Sequence, residues 1–345
     1  MADDTIREML MEKAVILFDP NEIDIGAREF MSNYASYMNA AAIIAKAADG
    51  QAYFESDQAP VDDAMAEFFE EWIELSNALE IDTIVAMNYY TDSRFAGNQE
   101  SQTLDSKGNA SLQHVCPNRR EIWDYGAEVV KELSNLPIDE ILVLGTGYLS
   151  EKFCFCDVCR KEFSSKIKIE PEQLSHKYLT DHPNHLDEWH EWRREKFVDG
   201  IEALQQANAE AVQGDEEVSS PRLSIEVLID PSTGLVKGAK NHNGYDFSRI
   251  RDITGSIMVN LYPWTPGLDP VGSKNYEELV EELHFIREFN RRGGHVTLFR
   301  WALDDIEELQ ILKTLANEVG ANRVAITRGY PANYSDYREN AMPSY

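Results

Sequence analysis

Apolar and polar positions alternate along this chain in two distinct rhythms. Short continuous apolar runs recur at 13–19 (KAVILFD), 40–46 (AAAIIAK), 82–90 (DTIVAMNYY) and 141–148 (ILVLGTGY). The series continues at 222–230 (RLSIEVLID), 256–264 (SIMVNLYPW), 295–301 (HVTLFRW) and 323–329 (RVAITRG). Runs this short, rich in Val and Ile, read as strands buried on both faces. Between them the apolar residues recur at helical spacing. Met65, Phe68, Phe69, Trp72 and Ile73 share one helical face, as do Tyr276, Leu279, Val280, Leu283, Ile286 and Phe289. Ile306, Leu309, Leu312, Leu315 and Val319 form another. Helices are also predicted near 26–38, 119–134 and 190–212, with a short one in YDFSRIRD. Eight strand–helix units predict an α/β fold, a (β/α)8 TIM barrel with an insertion after strand four. A doubly wound open sheet is the alternative. Phe18-Asp19-Pro20-Asn21 after the first strand is no glycine-rich turn, and no G-x-G-x-x-G or Walker sequence occurs. No Pro-, Gly- or Ser-rich linker interrupts the pattern. One domain is expected over 8–332, with 333–345 a loosely attached tail.

Charge narrows the partners. The chain has 61 Asp plus Glu against 32 Lys plus Arg among 345 residues, a net charge of -29. A surface this acidic repels phosphates and anionic lipid, which argues against nucleic-acid and membrane partners. The acids are spread along the chain, the pattern of a halophilic, salt-adapted protein; an ordinary acidic protein is the competing reading. MADDTIREML lacks the basic start and apolar core of a secretory signal, and no run approaches the roughly 18 apolar residues of a membrane span. A cytoplasmic location is expected, where disulfides are rare.

All four cysteines bear on one site. Cys154, Cys156 and Cys159 form C-x-C-x-x-C after strand four, and Cys116 follows strand three. Loops from neighbouring strands emerge on one barrel face, so four thiolates can complete a tetrahedral shell for structural zinc. Four ordinary thiols are the alternative.

These residues carry a resemblance. Cys116-Pro117-Asn118, the Cys154–Cys159 run and Trp189-His190-Glu191-Trp192-Arg193 resemble the corresponding segments of glycoside hydrolase family 42 β-galactosidases. The resemblance covers the middle third of the chain and implies a zinc-bearing barrel acting on carbohydrate. It also implies a catalytic Glu ending strand four and a nucleophile after strand seven. Leu144-Gly145-Thr146-Gly147-Tyr148 and Phe299-Arg300-Trp301-Ala302 stand there instead, without a carboxylate. Glu151 is the nearest acid to the strand-four end, several residues out on the loop.

Other residues at strand ends are the candidates for chemistry. On strand five, Leu223, Ile225, Val227 and Ile229 suit the helix layer, which turns Ser224, Glu226, Leu228 and Asp230 inward. Glu226 and Asp230 are the expected catalytic carboxyls; a Glu226–Lys46 ion pair is the structural alternative. Asp19, Asn88, Tyr90, Tyr148, Asn260, Tyr262, Trp264, Arg300, Trp301 and Asp304 complete an expected substrate-binding set. Aromatic rings stack on a sugar's apolar face and amides pair with its hydroxyls. A carbohydrate or other small-molecule substrate is therefore expected. A sugar-binding protein without turnover, or a barrel isomerase or lyase, are the alternatives. His176, His182, His185 and His190 lie in the polar segment after strand four and read as a surface cluster rather than a second metal site.

Overall fold

The computed structural model describes residues 14–20, 25–35, 39–212, 219–230, 235–261, 268–300 and 306–327. Ten strands are present among them: β1 (Ala14–Phe18), β2 (Ala40–Lys46), β3 (Asp82–Asn88), β4 (Gln102–Leu104), β5 (Ala110–Val115), β6 (Glu140–Leu144), β7 (Arg222–Ile229), β8 (Ser256–Leu261), β9 (His295–Arg300) and β10 (Arg323–Thr327). Eight of them close into a parallel barrel in the order β1-β2-β3-β6-β7-β8-β9-β10, with β10 returning to β1. These eight are the expected strands. The remaining two, β4 and β5, pair antiparallel in a hairpin that the apolar pattern does not announce.

The helices that cover the barrel are α1 (Ala27–Tyr34), α2 (Asp63–Ala78), α3 (Ser93–Ala96), α4 (Arg120–Ser134), α5 (Asp157–Ile167), α6 (His176–Asp181), α7 (Pro183–Ala211), α8 (Leu235–His242), α9 (Phe247–Thr254), α10 (Lys274–Glu282), α11 (Phe285–Arg291) and α12 (Ile306–Val319). The single helical face expected over 276–289 is thus split into α10 and α11. Asp62 caps α2 by accepting from the backbone N–H groups of Ala64 and Met65, and Ser273 caps α10 at Tyr276. Between β6 and β7 lie α5, α6 and the 29-residue α7.

The interior face of each strand can be derived from contacts between strands that are not neighbours. Arg323 on β10 reaches Glu140 on β6 at 3.2 Å and pairs with Asp82 on β3 at 2.5 Å. Neither pair of strands is adjacent, so these side chains meet through the lumen. Arg222 joins Glu140 at 3.2 Å and therefore also faces inward. With a period of two, Ser224 and Glu226 share that face, and Ser224 Oγ meets Ser256 Oγ of β8 at 2.9 Å. Leu223, Ile225, Val227 and Ile229 face the helices and are buried.

The helix layer comes unusually close at one place. Tyr89 and Tyr90 stack with ring centroids 4.1 Å apart and are covered by α4 and α7. A Cβ at Gly126 of α4 would lie 2.3 Å from Tyr89 Cε2, and one at Gly200 of α7 would lie 2.7 Å from the Tyr90 hydroxyl. Only glycine lets these helices close over the rings.

Candidate functional site

The β4–β5 hairpin assembles the thiol cluster. Cys116 directly follows β5, and its N–H donates to Ser101 O at 2.8 Å. Phe155 N–H donates to Leu104 O at 2.7 Å, which ties the Cys154–Cys159 loop to β4. As a result Cys116, Cys154, Cys156 and Cys159 are all buried, with their sulfurs within 4.8 Å of one another. Cys116–Cys159, Cys156–Cys116 and Cys156–Cys159 are separated by 3.4, 3.5 and 3.5 Å. Four sulfurs about 2.3 Å from one ion stand about 3.8 Å apart, so the spacing fits a tetrahedral shell. Two donors are already aimed at sulfur: Leu104 N–H at Cys154, 3.4 Å, and Asn118 Nδ2 at Cys159, 3.0 Å. Such bonds spread thiolate charge in metal sites. Phe155 stacks on Trp189 at 5.0 Å, and Phe163 meets the same indole edge-on.

A continuous chain of contacts runs from the thiols to the barrel mouth. Asn118 Oδ1 accepts from the Tyr148 hydroxyl at 2.5 Å. The Tyr148 ring lies 4.0 Å from the Arg193 guanidinium. Arg193 is fully buried and donates to the carbonyls of Ser150, Asn241 and His242 at 2.7, 2.9 and 2.6 Å. These carbonyls belong to the loop after β6 and the end of α8, so one guanidinium clamps the two segments together. Tyr148 is thus 2% exposed and works as a strut, where a sugar-facing position was expected.

The fourth barrel strand, β6, ends at Leu144 because Gly145 takes a left-handed conformation, φ +60°. Its N–H donates to Glu226 Oε2 at 2.7 Å. Asn260 Nδ2 of β8 donates to Glu226 Oε1, also at 2.7 Å. Thr146 Oγ1 donates to the Glu226 carbonyl, and the Tyr245 hydroxyl donates to Thr146 O at 2.9 Å. Burial pushes the Glu226 carboxyl above its ordinary range, and the two amide donors only partly offset this. The alternative Glu226–Lys46 pair does not form. Lys46 Nζ instead binds Asp92 at 2.8 Å and the Asn88 carbonyl at 3.0 Å, fully buried at the ends of β2 and β3.

The other expected residues divide clearly. Asn260 joins Glu226 directly. Asn88 returns its amide to Lys46 O at 3.2 Å. Asp19, half-buried, follows β1, and Asp230, also half-buried, follows β7 and lies among the charges that reach His242. Tyr90 points into the helix layer beside Gly200, away from the mouth. Arg300 shares the helix-facing parity of Val296 and Leu298 and pairs with Glu308 of α12 at 2.5 Å. Tyr262, Trp264, Trp301 and Asp304 lie outside the described residues. Sequence reading missed a rim group: Glu151, with His176 Nε2 at 3.5 Å and His242 Nε2 at 3.6 Å. No spacing pattern links these three, because one loop and the ends of two helices, α6 and α8, bring them together. His182 and His185 stack apart from them, around Tyr178.

The barrel matches solved structures over nearly its full length. The catalytic domain of a β-amylase from Paenibacillus polymyxa superposes with a TM-score of 0.64 at 11% identity, covering 96% of this chain and 99% of that one. The glycoside hydrolase domain of PgaB (BpsB) from Bordetella bronchiseptica gives 0.62 at 13% identity, covering 95% and 96%. The chain has their barrel fold. No family model matches the sequence, and no curated protein matches it. No helix among the described residues is long and apolar enough to cross a membrane.

Proposed function

We propose that this barrel is a glycoside-hydrolase-like protein acting on carbohydrate, with a structural zinc ion held by Cys116, Cys154, Cys156 and Cys159. The observation that carries the reading is Glu226, an inward carboxyl at the carboxyl end of the barrel whose oxygens meet only amide donors among their hydrogen bonds. A carboxyl whose pKa burial raises is better suited to donate a proton to a leaving oxygen than one at its ordinary value. Glu226 also sits against the end of strand four, one strand over from the position where family 42 carries its acid. The enzymatic names of the structural neighbours are consistent with this reading.

Asp230 ends the same strand and is the proposed second carboxyl. Its backbone lies about 13 Å along the strand from Glu226, at ~3.3 Å per residue. Asn260, bonded to Glu226, is the proposed sugar contact beside these acids, and Asp19 is a proposed contact from β1, across the barrel. A full thiolate shell leaves zinc no open position, so the ion would hold loops and take no part in bond cleavage. The dispersed net charge of -29 supports work in a salt-adapted cytoplasm.

The absence of any acid in Leu144–Tyr148 favours a second reading, sugar binding without turnover. An aryl-glycoside panel assayed at molar salt separates the two. Turnover by the wild type, lost in Glu226→Gln, supports hydrolysis. Sugar binding by both proteins with turnover by neither supports the binding reading. Full turnover by Glu226→Gln removes Glu226 from the mechanism.

A further inference from the structure

Arg193 carries a charge that its own hydrogen bonds do not answer. It is fully buried on α7, and its side chain donates only to the neutral carbonyls of Ser150, Asn241 and His242, at 2.7, 2.9 and 2.6 Å. Its Nε is buried with no hydrogen-bond partner. The other buried Lys and Arg side chains among the described residues each meet a carboxylate: Lys46 meets Asp92 at 2.8 Å, and Arg300 meets Glu308 at 2.5 Å. A buried cation without a counter-charge is costly, and burial lowers the Arg193 guanidinium to about 10.

The guanidinium reaches the thiol cluster through a short chain of contacts. It lies 4.0 Å from the Tyr148 ring. The Tyr148 hydroxyl donates to Asn118 Oδ1 at 2.5 Å, and Asn118 Nδ2 donates to Cys159 Sγ at 3.0 Å. Arg193 also stands one helical turn beyond Trp189 on α7, so the two share a face. Trp189 packs on Phe155 and Phe163, from the cysteine loop and the helix after it, with ring centroids 5.0 and 4.9 Å apart. Cys159 and Cys154 are among the charges that act on the guanidinium. A second arginine, Arg119, lies in the field of Cys156 and Cys116, but Asp157 at 2.9 Å and Glu121 at 3.4 Å already pair with it. A divalent ion in a shell of four thiolates leaves a net charge of about −2. Buried, that charge needs a cation nearby. The shell lacks positive charge, Arg193 lacks negative charge, and they share one packed wall.

We propose that Arg193 is the counter-charge of the metal–thiolate shell and, through its three carbonyl bonds, links occupancy of that shell to the stability of the barrel mouth. The inference rests on the reading that the four cysteines hold a divalent metal. Arg193 acts as a positioning residue, through charge on one side and hydrogen bonds on the other. Linkage is reciprocal: whatever factor the guanidinium adds to metal binding, the metal returns to the contacts the guanidinium makes. Those contacts lie where the loop after β6 meets the end of α8. There Tyr148 N–H donates to Asn243 O, and Asn243 Nδ2 donates to Tyr148 O, both at 2.9 Å. The α8 side of this junction contains no cysteine, so a response to metal there must travel through neighbouring side chains.

The test is the Zn2+ affinity of the intact protein, measured by competition with a chromogenic chelator. Arg193→Met removes the charge and keeps a long side chain, and should weaken Zn2+ binding at least about tenfold, the scale of one unit charge acting across a buried gap. Arg193→Lys restores the charge without the planar fork, and should recover to within about threefold of the wild type. Arg119→Gln should lose less than Arg193→Met, because the Arg119 charge already has partners. A second measurement needs no variant. Removing Zn2+ from the wild type should raise hydrogen exchange at Tyr148 and over 239–245. Equal Zn2+ affinity in the wild type and Arg193→Met overturns the proposal. So does Arg193→Lys binding as weakly as Arg193→Met, or unchanged exchange over 239–245 in a wild type that binds the ion. A wild type that binds no Zn2+ removes the metal reading and this proposal with it, whereas bound Zn2+ indifferent to Arg193 removes the proposal alone. Neither measurement depends on glycoside turnover.

Discussion

Two glutamates occupy opposite ends of the same barrel interior and are solvated in opposite ways. Glu140 opens β6 at the floor, where Arg222 and Arg323 each reach its Oε2 at 3.2 Å. Glu226 lies near the mouth and meets only the Gly145 N–H and the Asn260 amide. Burial pushes both carboxyls up, but at Glu140 two guanidiniums pull back, while at Glu226 neutral donors do. The floor thus has the form of a cross-barrel ionic clamp, joining β6, β7, β10 and, through Asp82, β3. That is the expected place for groups that serve stability. A carboxylate left without a counter-charge is costly, and its cost is tolerated where a reaction or ligand uses it.

The largest effect should come from removing the thiol shell. Structural zinc sites hold on the order of 10–16 kcal/mol of apparent binding free energy. Cys156→Ser should lose the metal and loosen only the mouth. Hydrogen exchange should rise over 101–119 and 145–163 while β8 and β9 stay protected. Uniform loss of protection would mean that floor and mouth are not separable. Next in size is turnover: Glu226→Gln should lose ~10²–10⁴-fold on a confirmed substrate, and Glu140→Gln should lose little per folded molecule. Equal losses would erase the distinction between the two ends.

Stability should reverse the order. Glu140→Gln removes the counter-charge of Arg222, which is 41% exposed, while Arg323 keeps Asp82, so the cost should fall at or below the low end of ~3–5 kcal/mol. Glu226→Gln should be neutral or stabilising by about 1 kcal/mol near pH 8, read by chemical denaturation. Asn260 Oδ1 is buried without a partner and can accept the new amide after a flip. The pH dependence carries a sign. A carboxyl raised in the folded state contributes stability at low pH that is lost as pH climbs through its folded value. The wild type should therefore weaken above the ordinary carboxylate range with a steeper slope than Glu226→Gln; identical slopes would mean that Glu226 is not raised. The smallest difference concerns salt. Screening should lift the Tm of wild type and both variants alike as the Debye length falls from about 10 Å to about 3 Å, because it relieves repulsion on the surface and leaves the lumen untouched. A salt response confined to Glu140→Gln would contradict this.

Much of the fold was legible because it rests on local periodicity. The alternation Leu223, Ile225, Val227, Ile229 predicts which face of β7 meets the helices, and with it the inward side of Glu226. The cysteine spacing likewise predicts convergence, since loops after neighbouring strands share a face. Two kinds of feature were not legible. Along β5 only Val115 is buried and the rest are half-buried or exposed, so burial leaves no apolar signature there. The roles of Tyr90 and Tyr148 depend on partners distant in sequence, Gly200 and Asn118, and that of Arg300 on Glu308, eight residues on in the following helix. An aromatic or charged residue at a strand end reads the same whether it faces ligand or helix. The Glu151–His176–His242 group is invisible for the same reason, as its members come from three separate segments.

The two glycines over the stacked tyrosines give the long helix a mechanical role. Gly200 is the pivot of α7, held against the Tyr90 hydroxyl with no room for a methyl group. Trp189 lies eleven residues toward the N-terminus, about 16 Å away at ~1.5 Å per residue, and Arg193 lies between them. A tilt of about 5° at the pivot would carry Trp189 through roughly 1.4 Å by that lever arm, enough to unseat an indole packed on Phe155. A single methyl group added at Gly200 would press on the Tyr90 hydroxyl and on Trp123, whose indole N–H donates to the Pro117 carbonyl beside Cys116, and so would reach the thiols by contact as well as by leverage.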